Sequence, residues 1–281
     1  MKSAALKKAL YTSAFLLPWL RKQRLPALLL LPRFRKRYIP VPLLFWTLLT
    51  AATVLAATEI AEVRHVLDGD TVILRNNQHL RLIGINAPEL GKDGAPDQPL
   101  ATRARDRLAQ LVRGQRVTLG FERERRDHYN RLLAHVYLPD GRDVEEILLH
   151  EGLAWAVAVP PNVGKLPALI SAENEARGTG RGIWGEPVYA PTPAERVTPQ
   201  DAGFRFIEGT ILRYQSHRKL IYFDLSPRVA LVVAREDWKK YHRGKPADWV
   251  GHRVVARGWL TDSQGRLHLR VPHPAMLTWR D

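Results

Sequence analysis

Apolar and polar side chains alternate along residues 62–67, 71–74 and 80–85, the period-two pattern of half-buried strands, and Asn76-Asn77 supplies a turn between the last two. These runs predict one strand and then a β-hairpin. Residues 89–99, with Gly91, Gly94, Pro96 and Pro99, predict a loop. From Leu100 the period changes: Leu100, Ala104, Leu108, Leu111 and Val112 share one helical face, and Gly114 ends the helix. Residues 116–121 predict another strand, residues 127–138 a turn running into a strand, and Pro139-Asp140-Gly141 a tight turn. Asp143 is placed to cap a helix over residues 144–152, and a third helix is expected over residues 166–177.

Short strands with helices between them predict an α+β domain over residues 59–188: a small, partly open five-stranded barrel, the OB-fold, with three helices. Residues 189–202 hold Pro191, Pro193 and Pro199 and read as a linker. Residues 203–281 carry strand-like runs at 204–212, 220–225, 229–233, 250–260 and 267–271, with a helical turn at 238–241. They predict a second small β-rich domain, a barrel or sandwich loosely similar to OB-like nucleic-acid-binding modules.

Charge sets the two ends apart. The net charge is +15, and the absence of cysteine excludes disulfides and thiolate metal sites. Residues 1–38 hold ten Lys/Arg and no acid, residues 39–202 hold 18 basic and 21 acidic residues, and residues 203–281 hold 15 basic and 7 acidic. The barrel domain is therefore not the basic part. Near the N-terminus Arg33-Phe34-Arg35-Lys36-Arg37 precedes an uncharged run at 38–58 whose inner part, 43–57, is apolar. That is the arrangement of a signal peptide or a signal anchor. Val54-Leu55-Ala56 offers a cleavage site, and Pro40 and Pro42 shorten the helical part of a span that needs ~20 residues. Either form predicts membrane association or export, with the rest of the chain outside the cytoplasm. In the last domain Arg213, Arg218, Lys219, Lys239, Lys240, Arg243 and Lys245 suit a phosphate-tracking stripe, a generic soluble surface, or a face for anionic lipid.

Candidate chemistry gathers on the hairpin. Asp68-Gly69-Asp70-Thr71 opens it, and Arg81-Leu82-Ile83-Gly84-Ile85-Asn86-Ala87-Pro88-Glu89 runs along and past its second strand. Hairpin geometry brings Asp70 near Asn86 and Glu89. Acids, an amide and a guanidinium in one small volume suit a hard cation with oxygen ligands, or a phosphate held by the arginine fork. Taken singly, Asp68-Gly69-Asp70 is also a turn sequence, Arg81 and Glu89 are also ordinary surface charges, and Arg131 is also a hairpin arginine within reach of Glu122 or Glu124.

In this order and spacing the residues resemble the staphylococcal (micrococcal, thermostable) nuclease family. The resemblance rests on Asp-Gly-Asp-Thr at 68–71, Arg-Leu-x-Gly-Ile-x-x-Pro-Glu at 81–89, Asp127-x-Tyr129-x-Arg131, and Gly180-Arg181-Gly182-Ile183-Trp184, within residues 59–186. It implies the OB-fold and a metal-dependent hydrolysis of phosphodiester bonds in DNA and RNA with little sequence preference. It implies Ca²⁺ held by Asp70, Asn86 and the backbone carbonyl of Ala87, with Glu89 as general base. Arg81 and Arg131 map to the phosphate-binding arginines, with Tyr129 beside the substrate. Asp68 maps to a nearby second carboxylate, and Thr71 to a supporting position.

The chain departs from the family at defined points. A metal carboxylate is replaced by Asn86, which removes a negative charge, and a threonine by Ala87, whose carbonyl needs no side chain. Two tyrosines that pack on the nucleotide are replaced by Ala158 and Pro160. Trp155, Trp184, Tyr137 and Phe121 sit at apolar-periodic positions and are expected in the core. The function expected is a metal-dependent nuclease. The competing expectation, motivated by Asn86, Ala158 and Pro160, is a nucleic-acid- or protein-binding module with a decayed site.

Overall fold

The computed structural model describes residues 58–280; the expected signal or anchor segment lies outside the described residues. The first barrel is built from β1 (Thr58–Val66), β2 (Thr71–Leu74), β3 (His79–Leu82), β5 (Arg116–Gly120) and β6 (Leu132–Tyr137), with β4 (Ile85–Asn86) and β7 (Trp155–Ala156) paired outside it. The order β1-β2-β3-β6-β5 closes on itself, antiparallel except for the parallel pair β3 and β6. This is the OB barrel that the strand count implied. Inward residues such as Leu80, Leu82, Val117, Leu119, Leu132 and Ala134 join Ala104 and Leu108 of α1 (Ala101–Val112) in one core.

The helices follow their local signals. Asp143 caps α2 (Val144–His150) by accepting from the Glu146 N–H at 2.9 Å, and Glu145 and Glu146 complement its N-terminal dipole. Pro167 occupies the first turn of α3 (Leu166–Gly178), where its missing N–H costs nothing. The run at 80–85 is not one strand, in contrast to the expectation. Gly84 takes φ +80°, and a Cβ there would meet Leu169 Cδ1 at 2.3 Å. The chain turns at this point, and β4 leaves the barrel for β7.

The second sheet holds β8 (Thr192–Pro193), β9 (Gly203–Thr210), β10 (Arg213–Ser216), β11 (Leu220–Asp224), β12 (Val229–Ala234), β13 (Arg253–Ser263), β14 (Arg266–Arg270) and β15 (Leu277–Arg280). β9 and β10 are two residues apart; β9 pairs with β13 and β10 with β11. Taken as one bent strand, they complete the order of the first barrel, with β12 and β14 as the parallel pair and α4 (Arg235–Tyr241) before β13. The second unit thus repeats the strand order of the first.

The stretch read as a linker is packed. β8 runs parallel to β9, and Ala194 and Val197 are buried in the core of the second sheet. Its prolines are tolerated because β8 is the terminal strand of the sheet order, where one side needs no ladder. The same core takes in Val157, Ala158 and Leu166 from the first barrel's segment. A second contact stacks Trp155 against Tyr189, Phe204 and Phe206 at 4.8, 5.2 and 6.3 Å. Trp155 and Phe121 are buried as expected, and Trp184 packs partly buried on Phe206.

Beneath the first barrel His135, 3% exposed, lies 2.9 Å from Glu122 and 3.4 Å from the fully buried Glu145. Burial pushes the imidazole down, but the hydrogen bond and charge of Glu145, then Glu122, outweigh it, and the net shift is upward. A raised histidine stabilises fully below its unfolded value of about 6.5, and that contribution is lost as pH rises through the folded value. Urea midpoints are therefore expected to fall as pH climbs above about 6.5. The slope should flatten in His135→Asn; an identical slope in both proteins would contradict the assignment.

Candidate active site

The site forms where β2, β3 and the β4 turn meet. Asp70, 4% exposed, is the centre. Its Oδ2 accepts from the Ala87 N–H at 2.8 Å and from Arg81 Nη2 at 2.8 Å, and its Oδ1 accepts from Thr71 Oγ1 at 3.0 Å. Asp68 Oδ1 accepts from the Asp70 N–H at 3.0 Å and fixes the turn. Arg81 Nη2 also reaches Asn86 Oδ1 at 3.3 Å, while Nη1 donates to Leu82 O at 2.8 Å. Asp68, Asp70, Thr71, Arg81, Asn86 and Ala87 therefore converge. Burial pushes the Asp70 carboxyl up to about 7, against the pull of Arg81 and with a further push from Asp68.

Gly69 sets this spacing. A Cβ there would meet Ala87 Cβ at 2.5 Å and Ala104 Cβ at 2.8 Å. Gly69→Ala is expected to cost about 1–3 kcal/mol through overpacking and to move Asp70 off the Ala87 N–H. A lowered urea midpoint together with reduced activity would report both; an unchanged midpoint would show that the turn has slack.

Arg81 pairs with Thr71 in β2 and with Leu133 in the parallel β6. Arg131 lies two residues before Leu133, just ahead of β6. The alternative reading of Arg131 as a hairpin arginine put it within reach of Glu122 or Glu124; the acid it meets is Asp127. Asp127 Oδ2 accepts from Arg131 Nε at 2.7 Å, and Oδ1 accepts from the N–H groups of Tyr129 and Arg131 at 2.9 Å each. The terminal guanidinium nitrogens of Arg131 make no hydrogen bond among the described residues. Tyr129 is 70% exposed, with the Arg131 guanidinium 5.5 Å from its ring centre. The Asp127 role was legible as an acid four residues before an arginine at a turn.

Glu89 lies two residues past Ala87 and is exposed. Its carboxylate makes no hydrogen bond or ion pair among the described residues. Its backbone is fixed: the Glu89 N–H donates to Gln98 Oε1 at 2.9 Å, and the Gln98 N–H donates to Glu89 O at 3.0 Å. No pattern in the sequence marked Gln98. A concavity of about 730 Å³ between α1 and Glu151, lined by Asp97, Gln98, Arg103 and Arg107 among others, does not include Asp70, Arg81, Asn86, Glu89 or Arg131.

Asp70 Oδ2 and Asn86 Oδ1 share one guanidinium nitrogen, and Ala87 O lies 3.5 Å from Asn86 Nδ2. Carboxylate, amide and carbonyl oxygens are the donors a hard cation takes, so the set fits Ca²⁺ in kind. It is thin in charge: no group of three or more His, Cys, Asp or Glu able to hold a metal occurs among the described residues. The positions of the missing tyrosines are not open surface alone. Ala158 is 1% exposed, and its N–H donates to Met276 Sδ at 3.3 Å in the second unit.

A closed OB barrel carries a buried aspartate paired with Arg81 and hydrogen-bonded to the Ala87 N–H. The family model for staphylococcal nuclease homologues matches residues 79–186. The thermonuclease of Staphylococcus hyicus is 35% identical over 127 residues, 44% of this chain and 74% of that protein. That of Staphylococcus intermedius is 37% identical over 125 residues, 43% of this chain and 74% of that protein. An uncharacterized endonuclease of Escherichia coli is 35% identical over 136 residues, 47% of this chain and 82% of that protein. The chain belongs to the staphylococcal nuclease homologue family.

Proposed function

We propose that the protein is a metal-dependent nuclease that hydrolyses phosphodiester bonds of DNA or RNA with little sequence preference. Endonuclease-type phosphodiester hydrolysis is the activity its thermonuclease and endonuclease relatives carry in their names. The observation that carries the reading is the convergence of Asp70, Arg81 and Asn86, with the free carboxylate of Glu89 two residues past Ala87.

The roles follow from the groups. Arg81 and Arg131 bind the phosphate and meet the charge that builds on its oxygens as water adds. Arg131 is held for this by Asp127 and keeps its terminal nitrogens for substrate. Glu89 takes a proton from the attacking water. Asp70, Asn86 and the Ala87 carbonyl hold the cation, which when bound supplies Lewis-acid relief of phosphoryl charge. Asp68 and Thr71 keep Asp70 in place. The basic and apolar order of residues 1–58 supports an exported or membrane-tethered enzyme, acting outside the cytoplasm.

The deciding assay is cleavage of single-stranded substrate with Ca²⁺, Mg²⁺ or Mn²⁺ against EDTA. Cleavage unaffected by EDTA would remove the metal and leave a nuclease. Binding is read separately by thermal shift and calorimetry. Ca²⁺ is expected to bind weakly, and Asn86→Asp, which restores a carboxylate, to tighten it by about tenfold. Unchanged affinity in that variant would take Asn86 out of the ligand set.

A further inference from the structure

The second sheet has an outward face that the cleavage chemistry does not use. Ile221, Phe223, Leu231, Val233, Leu267 and Leu269 point into its core, each 2% exposed or less. The residues between them face outward. Register sets Gln215 beside Tyr222, Tyr222 beside Val232, and Val232 beside Arg270. The Tyr222 ring lies 5.5 Å from that of His217 and 5.4 Å from that of His268, both edge-on, so three rings form a row. Burial, then Arg266, pushes the His268 imidazole down from its ordinary value.

Cations flank the row. Arg218 and Lys219 form the exposed β10–β11 turn, and their side chains make no hydrogen bond or ion pair among the described residues. Arg235 holds that turn through His217 O and Ser216 Oγ, both at 2.8 Å. Arg270 is exposed and reaches only to 3.9 Å of Asp237. At the other end Arg213 and Arg266 share the single carboxylate of Asp224, at 2.6 and 2.7 Å. Beside the rings, at the Arg218 end, the cations have no acid so close.

A row of rings next to unpaired cations matches a polymer that alternates flat bases with phosphates. A lipid surface uses the charge but has no use for rings lying along a sheet. We propose that the outer face of β10, β11, β12 and β14 binds single-stranded nucleic acid, with bases on Tyr222, His217 and His268 and phosphates on Arg218, Lys219 and Arg270. This face lies outside residues 79–186, which the family match covers. It goes beyond the cleavage reading and does not depend on it.

The test uses the full chain carrying Glu89→Gln, in EDTA, so that nothing is cut. Anisotropy of a labelled oligo(dT) reads binding. Tyr222→Ala is expected to weaken it about 5- to 150-fold, the range for loss of one base stack. Arg218→Ala with Lys219→Ala, on an exposed turn where neither side chain supports the fold, is expected to weaken it and to lower the salt slope by about 1.4, at about 0.7 per phosphate. Unchanged affinity in both variants overturns the proposal. Phosphatidylglycerol vesicles are run alongside: vesicle binding that needs Arg218 and Lys219, with oligo(dT) binding indifferent to Tyr222, also overturns it in favour of a lipid surface. If the unsubstituted chain cuts nothing with Ca²⁺, Mg²⁺ or Mn²⁺ while the Glu89→Gln chain binds oligo(dT) through Tyr222, the nuclease reading falls and this one stands.

Discussion

Glu89→Gln is expected to lower the rate of phosphodiester cleavage by about 10²–10⁴-fold, the usual contribution of a positioned general base. Stability should stay within about 0.5 kcal/mol, because the residue is exposed and its side chain supports no contact. Glutamine has the same shape, and the bonds that fix the loop run between the Glu89 backbone and Gln98, so the substitution leaves them in place. Arg131→Ala is the companion, expected to cost about 10²–10³-fold. It removes a guanidinium whose ion-pair partner among the described residues is Asp127, on the turn before β6. Single-turnover cleavage with and without denaturation curves separates chemistry from folding. Wild-type-like cleavage in both variants would rule the assignment out.

The largest expected effect on stability lies at an ion pair outside the proposed catalytic side chains. Arg257 in β13 places Nη1 2.6 Å from both oxygens of Glu173 in α3, and Glu173 also accepts from the Ala156 N–H at 2.7 Å. The side chains are 11% and 1% exposed. Arg257→Met leaves a carboxylate buried without its cation, which is expected to cost about 3–5 kcal/mol. For a chain of this size that is a fall of roughly 6–20 °C in Tm. Adding Glu173→Gln should recover most of the loss, since the amide oxygen still accepts from Ala156 and no charge is stranded. If Arg257→Met alone left the Tm unchanged, water would have to reach Glu173, and the two units would not be held together there.

Much of the first barrel was legible because its signals are local. Alternation gave β2 and β3, the apolar face of Leu108 and Val112 gave α1, and Asp143 marked the start of α2. The break at Gly84 was not legible: glycine permits φ +80° but does not demand it, and the close approach of Leu169, which leaves no room for a Cβ, exists only in the folded chain. The prolines of 189–202 suggested a free connection. Their neighbours Ala194 and Val197 have small or modest side chains that gain burial only once β9 and its core are present.

What the chain alone determined about the candidate site was its inventory: the carboxyls, the guanidiniums and their spacing are covalent facts. What tertiary structure decided was who holds whom. Asp127 rather than Glu122 or Glu124 takes Arg131, Gln98 holds Glu89, and Ala158 lies under Met276. The Asp127 pair is local to one turn, but the Gln98 and Met276 contacts reward no residue until the backbone has already closed, and periodicity along a chain carries no trace of partners met across space.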